Sequence, residues 1–139
     1  MIATLSERIL GNAGSNRSIK IMVAMGKITI SRVANALWKT FYSASKVLIV
    51  VDGDGDPTAT KDMLVKGLEF NEWISVIPNP SIEVWLDLDV DQLRKWGAKN
   101  RIEQSRLAAN KLDIEELVKR DEEFARFQNA ILGLSVAGQ

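Results

Sequence analysis

The chain has 139 residues, with 18 Lys and Arg against 18 Asp and Glu, 46% apolar residues, and neither Cys nor His. This length suits one globular domain, and zero net charge argues against both a histone-like basic protein and a disordered acidic chain. Without Cys and His, disulfides, thiolate chemistry, a Ser-His-Asp triad and a His-bound zinc site are excluded within this chain. Any chemistry must use carboxylates, hydroxyls, Lys, Arg or a hard metal ion.

Export and membrane signals are not apparent in the sequence. No apolar run approaches the roughly 20 residues needed to cross a bilayer, and the first residues lack a signal-peptide pattern. The composition, free of Cys, fits a cytoplasmic protein with no membrane partner. The cytoplasm is therefore the predicted location.

Charge is segregated along the chain. Residues 1–46 hold seven Lys and Arg against one acid, whereas residues 52–91 hold ten acids against two Lys. Two interpretations remain open. In the first, the charges lie on solvated faces and their segregation along the chain is accidental. In the second, an acidic metal pocket is flanked by basic groups that bind phosphates.

The first third of the chain predicts a lead-in, a strand and a helix. Residues 1–18 are rich in Gly, Asn and Ser after a short apolar start, which predicts a lead-in or linker. Residues 19–25 are a short apolar run before Gly26 and predict a buried strand. Apolar positions at helical spacing then predict a helix that begins at Ser31, with this serine as its cap.

The middle of the chain contains the clearest strands. Residues 47–51 are five consecutive aliphatic residues, which indicates a strand buried on both faces, as in a parallel sheet. Pro57 stands where the next helix would begin, and residues 73–77 predict a further strand, stopped by the Pro-Asn-Pro of residues 78–80. Strands that alternate with helices at this spacing predict βαβ units and an α/β fold.

Residues 82–91 support two opposed predictions. Apolar and polar residues alternate at a period of two, which favours a strand. However, Ser81 is a fair helix cap, and Ile82, Trp85 and Leu86 fit a helical face. The period alone favours the strand.

The last third of the chain is predicted to be helical. The acidic run at residues 121–123 suits the first turn of the last helix, which is expected to end at Gly133 and to leave residues 133–139 as a tail. Aromatic residues on apolar faces are predicted to pack in the core and not to stack on bases. They are Trp38, Trp85, Phe124 and Phe127.

An acidic cluster follows the most hydrophobic strand. Asp52, Asp54 and Asp56 occupy alternate positions directly after residues 47–51, and ligands bind at the carboxyl ends of parallel strands. Because clustered carboxylates repel each other, a cation is their natural counter-charge, and oxygen ligands without His or Cys select Mg²⁺, Mn²⁺ or Ca²⁺. The alternative is an Asp/Gly-rich turn whose side chains cap the following helix.

Two other motifs share part of this pattern. An EF-hand loop beginning at Asp52 needs a bidentate Glu at its twelfth position, which is Met63 here, so that motif is excluded. A haloacid-dehalogenase-type phosphatase would use Asp52 and Asp54 as nucleophile and acid–base group. It remains the runner-up, although its motif normally lies on the first strand.

Three segments in order resemble a Toprim domain, the metal-binding module of topoisomerases, primases and overcoming-lysogenization-defect (OLD) nucleases. They are Met25-Gly26-Lys27, the strand ending in Asp52-x-Asp54, and Ser81-x-Glu83. The similarity is greatest to OLD-type domains and covers residues 19–132. It implies a Toprim-like, Rossmann-like, mostly parallel sheet flanked by helices, with a helical C-terminal part. It also implies that residue 82 begins a helix, which we adopt over the strand.

The resemblance implies a site for Mg²⁺ or Mn²⁺. Asp52 and Asp54 would bind one divalent cation, while Glu83, assisted by Ser81, would hold a second cation or the attacking water. Two such cations stabilise the attacking and leaving oxygens in phosphodiester cleavage. Lys99 would match a basic residue near the scissile phosphate.

Further residues would act around this site. Asp56 is the candidate for an outer-shell carboxylate. Lys111 is as available as Lys99 for the basic role, and Lys27 and Arg32 are candidates for contact with the nucleic-acid backbone.

The first motif departs from the Toprim pattern. Toprim enzymes carry Glu just before the Gly, where this chain has Met25, and residues 27–30 offer no replacement acid. Because Met neither binds Mg²⁺ usefully nor accepts a proton, two functions remain open: a metal-dependent endonuclease using Asp52, Asp54 and Glu83 alone, or a degenerate module that binds protein or nucleic acid. We favour the endonuclease.

The resemblance also implies partners. They are nucleic acid, DNA in particular, and an ATPase domain or protein, because OLD-type Toprim domains follow an ATPase. This chain has no phosphate-binding Gly-Lys-Ser/Thr loop of its own. A homodimer is left open.

Overall fold

The computed structural model describes residues 1–17, 19–22, 24, 26–41, 46–86, 88, 95, 97–134 and 136. Within these residues the chain forms six α-helices, two short 3-10 helices and a two-stranded parallel sheet. The α-helices are α1 (Ile2–Asn12), α2 (Ile30–Thr40), α3 (Pro57–Gly67), α4 (Ala98–Lys111), α5 (Ile114–Arg120) and α6 (Glu122–Leu132). The strands are β1 (Val47–Val50) and β2 (Trp73–Val76), and the 3-10 helices span Lys27–Thr29 and Ile82–Leu86.

The sheet confirms the strands predicted at residues 47–51 and 73–77 and their parallel arrangement. Strands β1 and β2 run parallel, in a register that pairs Val47 with Trp73 and Val50 with Val76. Helix α3 lies between them in the sequence, so β1, α3 and β2 form a βαβ unit. The mixed α/β class predicted from the alternation of strands and helices is confirmed.

Each strand packs on both faces, because alternate side chains of a strand point to opposite sides of the sheet. Residues 48 and 50 face the larger core, which we name the helical core, whereas residues 47, 49 and 51 face the smaller sheet core. The helical core is built from Leu5, Ile9, Val76, Trp85, Leu86, Ala109, Ile114, Leu117, Phe124, Phe127 and Ile131. The sheet core is built from Ala34, Ile49, Val51, Leu64, Phe70 and Ile77.

Helix boundaries follow local capping chemistry. The Asp56 side chain accepts a hydrogen bond from the Ala59 amide (3.0 Å) ahead of Pro57, the first residue of α3. Asp121 caps α6 in the same way, and Gly133, at φ 75°, ends it in the left-handed conformation. These boundaries match the predictions. Helix α2, in contrast, begins at Ile30 with Thr29 before it, so Ser31 is not its cap.

The first residues differ from the prediction of a lead-in. Helix α1 buries Leu5 and Ile9, which are one turn apart and pack into the helical core. The Arg8 guanidinium donates to the carbonyl oxygens of Ala109 and Leu112, both at 2.7 Å, and so ties α1 to the C-terminal end of α4. The apolar residues that precede Gly11 and Asn12 are too few to be a strong local signal, and long-range packing decides this helix.

The strand predicted over residues 19–25 is wrong for the residues that the structure describes. Residues 19–22 and 24 belong to no strand, while Val23 and Met25 lie outside the described residues. Ile21 and Met22 are 42% and 52% exposed, so this apolar run has no sheet face to bury. The Lys20 ammonium instead lies over the Phe41 ring, 4.2 Å from its centroid.

The competing predictions for residues 82–91 are decided for the first five of them. Residues 82–86 form a 3-10 helix, and the Val84 amide donates to the Ser81 carbonyl oxygen at 3.2 Å. Trp85 is fully buried against Phe124, with ring centroids 5.0 Å apart in an edge-to-face arrangement. The helical start is therefore confirmed and the strand is wrong here. Residues 87 and 89–91 lie outside the described residues.

The aromatic residues predicted to pack in the core do so. Phe124 and Phe127 are fully buried beside Trp85, with their ring centroids 5.8 Å apart. Trp38 packs on the sheet core and stacks on Phe70 at 4.9 Å. None of these four predicted rings is left to stack on a base.

Candidate functional site

The first loop, which follows β1, and the second loop, which follows β2, run side by side at the carboxyl edge of the sheet. The Val51 amide continues the strand pairing by donating to the Val76 carbonyl oxygen at 3.1 Å. The amides of Gly53 and Asp54 then donate to the carbonyl oxygens of Pro78 and Pro80, both at 2.8 Å. The acidic cluster is consequently held on the second loop by backbone hydrogen bonds.

Asn79 is a site residue that sequence reasoning missed. Its Oδ1 atom accepts a hydrogen bond from the Gly55 amide at 2.9 Å. A Cβ atom at residue 53 would lie 2.7 Å from the same oxygen, so Gly53 is required for this close approach. The sequence signal that could have indicated Asn79 is its position as a polar residue between Pro78 and Pro80, directly after a predicted strand.

Asp52 connects the two predicted motifs. Its Oδ1 atom accepts a hydrogen bond from the Ile82 amide at 2.9 Å, and its side chain is half-buried. Ile82 is the first residue of the 3-10 helix, so Asp52 satisfies a backbone donor that has no partner within that helix. The Asp52-x-Asp54 and Ser81-x-Glu83 segments are thereby brought together.

The surroundings of Asp52 disfavour the negative charge of its carboxylate. Burial is the largest effect and raises the pKa of the Asp52 carboxyl above its usual value of 3.8. The Ile82 amide opposes this increase, the carboxylates of Glu83 and Asp54 add to it, and the Lys27 ammonium lowers the pKa by the smallest amount. Asp52 therefore carries its negative charge at an energetic cost at neutral pH.

This raised pKa predicts that Asp52→Asn stabilises the metal-free protein at pH 7. The fold favours the protonated carboxyl, so the wild-type protein loses stability as the pH rises through the pKa of the folded state. Asn keeps an oxygen that accepts from Ile82 but carries no charge. We expect the stability difference in EDTA to be present at pH 7 and to vanish below pH 3.8, as measured by urea unfolding across this range. A constant difference at every pH would contradict this origin.

Asp54 forms an ion pair that the sequence did not predict. The Lys27 Nζ atom lies 3.0 Å from Asp54 Oδ2, and Asp54 adopts a positive φ of 53° at the tip of the loop. The sequence predicts that Lys27 contacts the phosphates of nucleic acid. In this structure it supplies a cation to the acidic cluster, and both residues line a shallow cleft of about 290 Å³ beside Thr60.

The capping alternative holds for one of the three aspartates. Asp56 lines the same cleft, but its side chain accepts from the Ala59 amide and caps α3. Its predicted role as an outer-shell carboxylate stays a prediction, because a capping oxygen leaves the second carboxylate oxygen for another partner.

The other predicted site residues lie at different distances from the cluster. Glu83 and Ser81 are half-buried beside Asp52, in the 3-10 helix and directly before it. The basic candidates Arg32, Lys99 and Lys111 are exposed, on α2 and near the two ends of α4. Within the described part of the chain, none of these three forms an ion pair or hydrogen bond with the acidic cluster.

Glu123 and Arg126 of α6 support the second loop, and the sequence carried no signal for this contact. Glu123 Oε2 accepts from the Ile77 amide at 2.8 Å, and Arg126 donates to the Ser75 carbonyl oxygen at 2.8 Å. The two side chains also face each other at 3.6 Å. They occupy backbone groups of Ser75 in β2 and of Ile77 just after it, which a neighbouring strand would otherwise pair, and so cover this edge of the sheet.

The residues present fit a divalent cation by their chemistry. Carboxylate oxygens are the ligands that Mg²⁺ prefers, and this ion is commonly bound by one or two carboxylates together with water and substrate phosphates. Among the described residues, no three acidic side chains lie close enough to hold a metal ion together. The described residues therefore offer carboxylate oxygens of the right kind but fewer than three that converge on one point.

Comparison with known proteins identifies no relative of this chain. The chain matches no protein-family model, and searches of curated proteins and of solved structures find no significant match. In the part of the chain that the structure describes, no helix has both the length and the hydrophobicity to cross a membrane.

Proposed function

We propose that the chain is a divalent-metal-dependent nuclease of the Toprim type, with its cation site at the carboxyl edge of β1 and β2. One observation carries this proposal. Asp52 is half-buried and fixed on the Ile82 amide, with Asp54 and Glu83 near enough to repel its charge. A divalent cation relieves this repulsion and finds the oxygen ligands that it prefers.

The proposed roles extend those implied by the resemblance. Asp52, with Asp54 or Glu83, holds one Mg²⁺ or Mn²⁺, and the ion when bound polarises a phosphate oxygen. With Asp54 as the second ligand, Glu83 accepts a proton from the water that attacks phosphorus, while the P–O bond to the departing oxygen breaks and that oxygen takes a proton from solvent. The Lys27 ammonium leaves Asp54 and pairs with a phosphate oxygen. One ion is proposed here in place of two, because the described carboxylates do not converge in a group of three. The Toprim-like topology and a DNA substrate are part of the same proposal.

Metal binding tests the proposal directly. We expect Asp52→Ala/Asp54→Ala to weaken Mg²⁺ and Mn²⁺ binding at least about tenfold, or about 1.4 kcal/mol, in calorimetry. Asp62→Ala is the matched control, because Asp62 is an exposed aspartate of α3 outside the two loops. Nicking of supercoiled plasmid by the wild type and by Asp62→Ala, but not by the double variant, would complete the test.

Two results would contradict the proposal. The first is the absence of binding at millimolar metal. The second is equal affinity in Asp52→Ala/Asp54→Ala and Asp62→Ala. Either result would leave the aspartates as turn and capping residues, as Asp56 already is for α3.

A second candidate is a degenerate Toprim-like module that binds protein or nucleic acid without cleavage. The observation in its favour is that Lys27 already pairs with Asp54, so part of the acidic charge is neutralised without a metal. Metal binding without nicking would favour this candidate. A gain of nicking in Met25→Glu would favour it further, because that variant restores the carboxylate of the first Toprim motif.

A further inference from the structure

An almost fully exposed isoleucine lies beside α3. Ile28 is 93% exposed, more than any other large hydrophobic residue in the described part of the chain. Its 3-10 turn is held on both sides of this residue. The Lys27 ammonium pairs with Asp54, and both the amide and the hydroxyl of Thr29 donate to the Gly26 carbonyl oxygen, at 3.3 and 3.0 Å. The turn therefore fixes an apolar side chain in contact with water.

A groove of about 670 Å³ lies between this turn and helices α2 and α3. Its apolar lining comes from Ile28, Ala59 and Met63. Helices α2 and α3 approach closely at one end, because a Cβ atom at Gly67 would overlap the Ser31 Oγ atom. Ile28 and the groove form one continuous apolar patch, which is typical of a surface that binds a partner.

Two charges of opposite sign border this groove. Asp62 and Lys66 line it one helical turn apart on α3, and both are exposed. Neither forms an ion pair with the other, or with any further residue that the structure describes. One acid and one base leave this face without net charge, so a polyanion gains no net attraction from it. A partner that presents the same two charges in the reverse order is complementary.

A second copy of this chain presents the charges in that order. When two α3 helices pack antiparallel about a two-fold axis at the level of residue 64, Asp62 of each copy lies opposite Lys66 of the other. The same register places Met63 of each copy opposite Val65 of the other, and Val65 is 58% exposed in the single chain. Charged and apolar positions are thus matched by one symmetry operation.

We propose that α3 and the turn that carries Ile28 form the interface of a homodimer. Burial of Ile28 and the groove between the two copies provides the free energy of association, and the Asp62–Lys66 pairs fix the register. The inference goes beyond the proposed function and does not depend on it, because the interface contains neither Asp52 nor Glu83. Loss of the dimer should accordingly leave the affinity for Mg²⁺ unchanged.

Sedimentation velocity of the full chain in EDTA, over a range of protein concentrations, tests the apolar part of this interface. We expect the wild type to form a species of twice the chain mass of 15.4 kDa. Ile28→Asp should raise the dissociation constant of this dimer at least about tenfold, because both copies lose an apolar contact and bury a charge. The matched control is Ile102→Asp, which changes a 73% exposed isoleucine of α4 and should keep the wild-type constant.

Charge reversal tests whether the partner is a second copy. Asp62→Lys and Lys66→Asp should each weaken the homodimer, because like charges then face each other across the axis. An equimolar mixture of these two variants should form a heterodimer, and the combined Asp62→Lys/Lys66→Asp variant should regain the homodimer. Both positions are exposed, and circular dichroism checks that each variant is folded.

Three outcomes would overturn the inference. They are a wild type that stays monomeric at about 100 μM, an equal effect of Ile28→Asp and Ile102→Asp, and a mixture of the two charge variants that forms no heterodimer. A monomeric wild type would assign the groove to a different partner. Because the test is made in EDTA, a dimer that binds no Mg²⁺ would refute the proposed nuclease and leave this interface intact.

Discussion

Trp85→Ala is expected to lower the free energy of unfolding by about 3–5 kcal/mol, the range for truncation of a large buried aromatic side chain. Trp85 is fully buried, and its ring meets those of Phe124 and Phe127 at 5.0 and 5.4 Å. Its removal leaves a cavity where the 3-10 helix, α6 and α4 meet in the helical core. Urea unfolding followed by circular dichroism measures the loss.

Trp85→Phe is the matched variant. The Trp85 Nε1 atom is buried without a hydrogen-bond partner, so replacement by Phe removes an unsatisfied donor while keeping an aromatic ring. We expect a smaller loss than for Trp85→Ala, because the Phe ring fills part of the space that the indole leaves. An equal loss in Trp85→Ala and Trp85→Phe would show that packing of the ring does not hold this core.

The Trp85 variants also bear on the candidate site. Trp85 lies three residues after Ile82, whose amide holds Asp52. If core packing fixes the 3-10 helix, Trp85→Ala should weaken Mg²⁺ binding under conditions where the variant remains folded, and Trp85→Phe should not. Unchanged Mg²⁺ affinity in folded Trp85→Ala would separate the core from the site.

Glu123→Ala is expected to cost about 1–3 kcal/mol, the penalty for leaving a buried backbone donor without a partner. Glu123 Oε2 accepts from the Ile77 amide at 2.8 Å, and Ile77 is buried in the sheet core. Loss of this acceptor also releases the start of the second loop, which carries Asn79. Unfolding in urea measures the cost, and calorimetry measures the accompanying loss of Mg²⁺ affinity.

Two variants isolate this contact. Glu123→Gln keeps an acceptor oxygen for the Ile77 amide and should recover most of the stability. Glu122→Ala removes an acid from the same first turn of α6, but Glu122 is exposed and contributes mainly through the helix dipole, about 0.3–1 kcal/mol. Similar losses in Glu122→Ala and Glu123→Ala would refute a specific role for the Ile77 contact.

The candidate site was predictable where its position follows from local sequence. A run of aliphatic residues at 47–51 followed by Asp52 places a carboxylate at the end of a buried strand, and the structure bears this position out. The bond between Asp52 and the Ile82 amide was not predictable, because it joins residues 30 positions apart. The Lys27–Asp54 pair, 27 positions apart, is of the same kind.

The sequence by itself determined the elements whose signals act within a few residues. Asp56 and Pro57 at the start of α3, and the cap and stop of α6, depend on contacts of at most four positions. Their chemistry is the same in any fold, because a capping side chain and its amide are neighbours along the chain.

Only the tertiary structure decided the elements whose stability comes from distant partners. Helix α1 forms because Leu5 and Ile9 pack in the helical core. Residues 19–22 include three apolar residues but form no strand, and no strand in the described part of the chain pairs with them. The 3-10 helix at residues 82–86 overrides an alternating pattern because Trp85 is buried against α6. For α1 and this 3-10 helix, the free energy of burial outweighs a local preference of about 1 kcal/mol or less per residue.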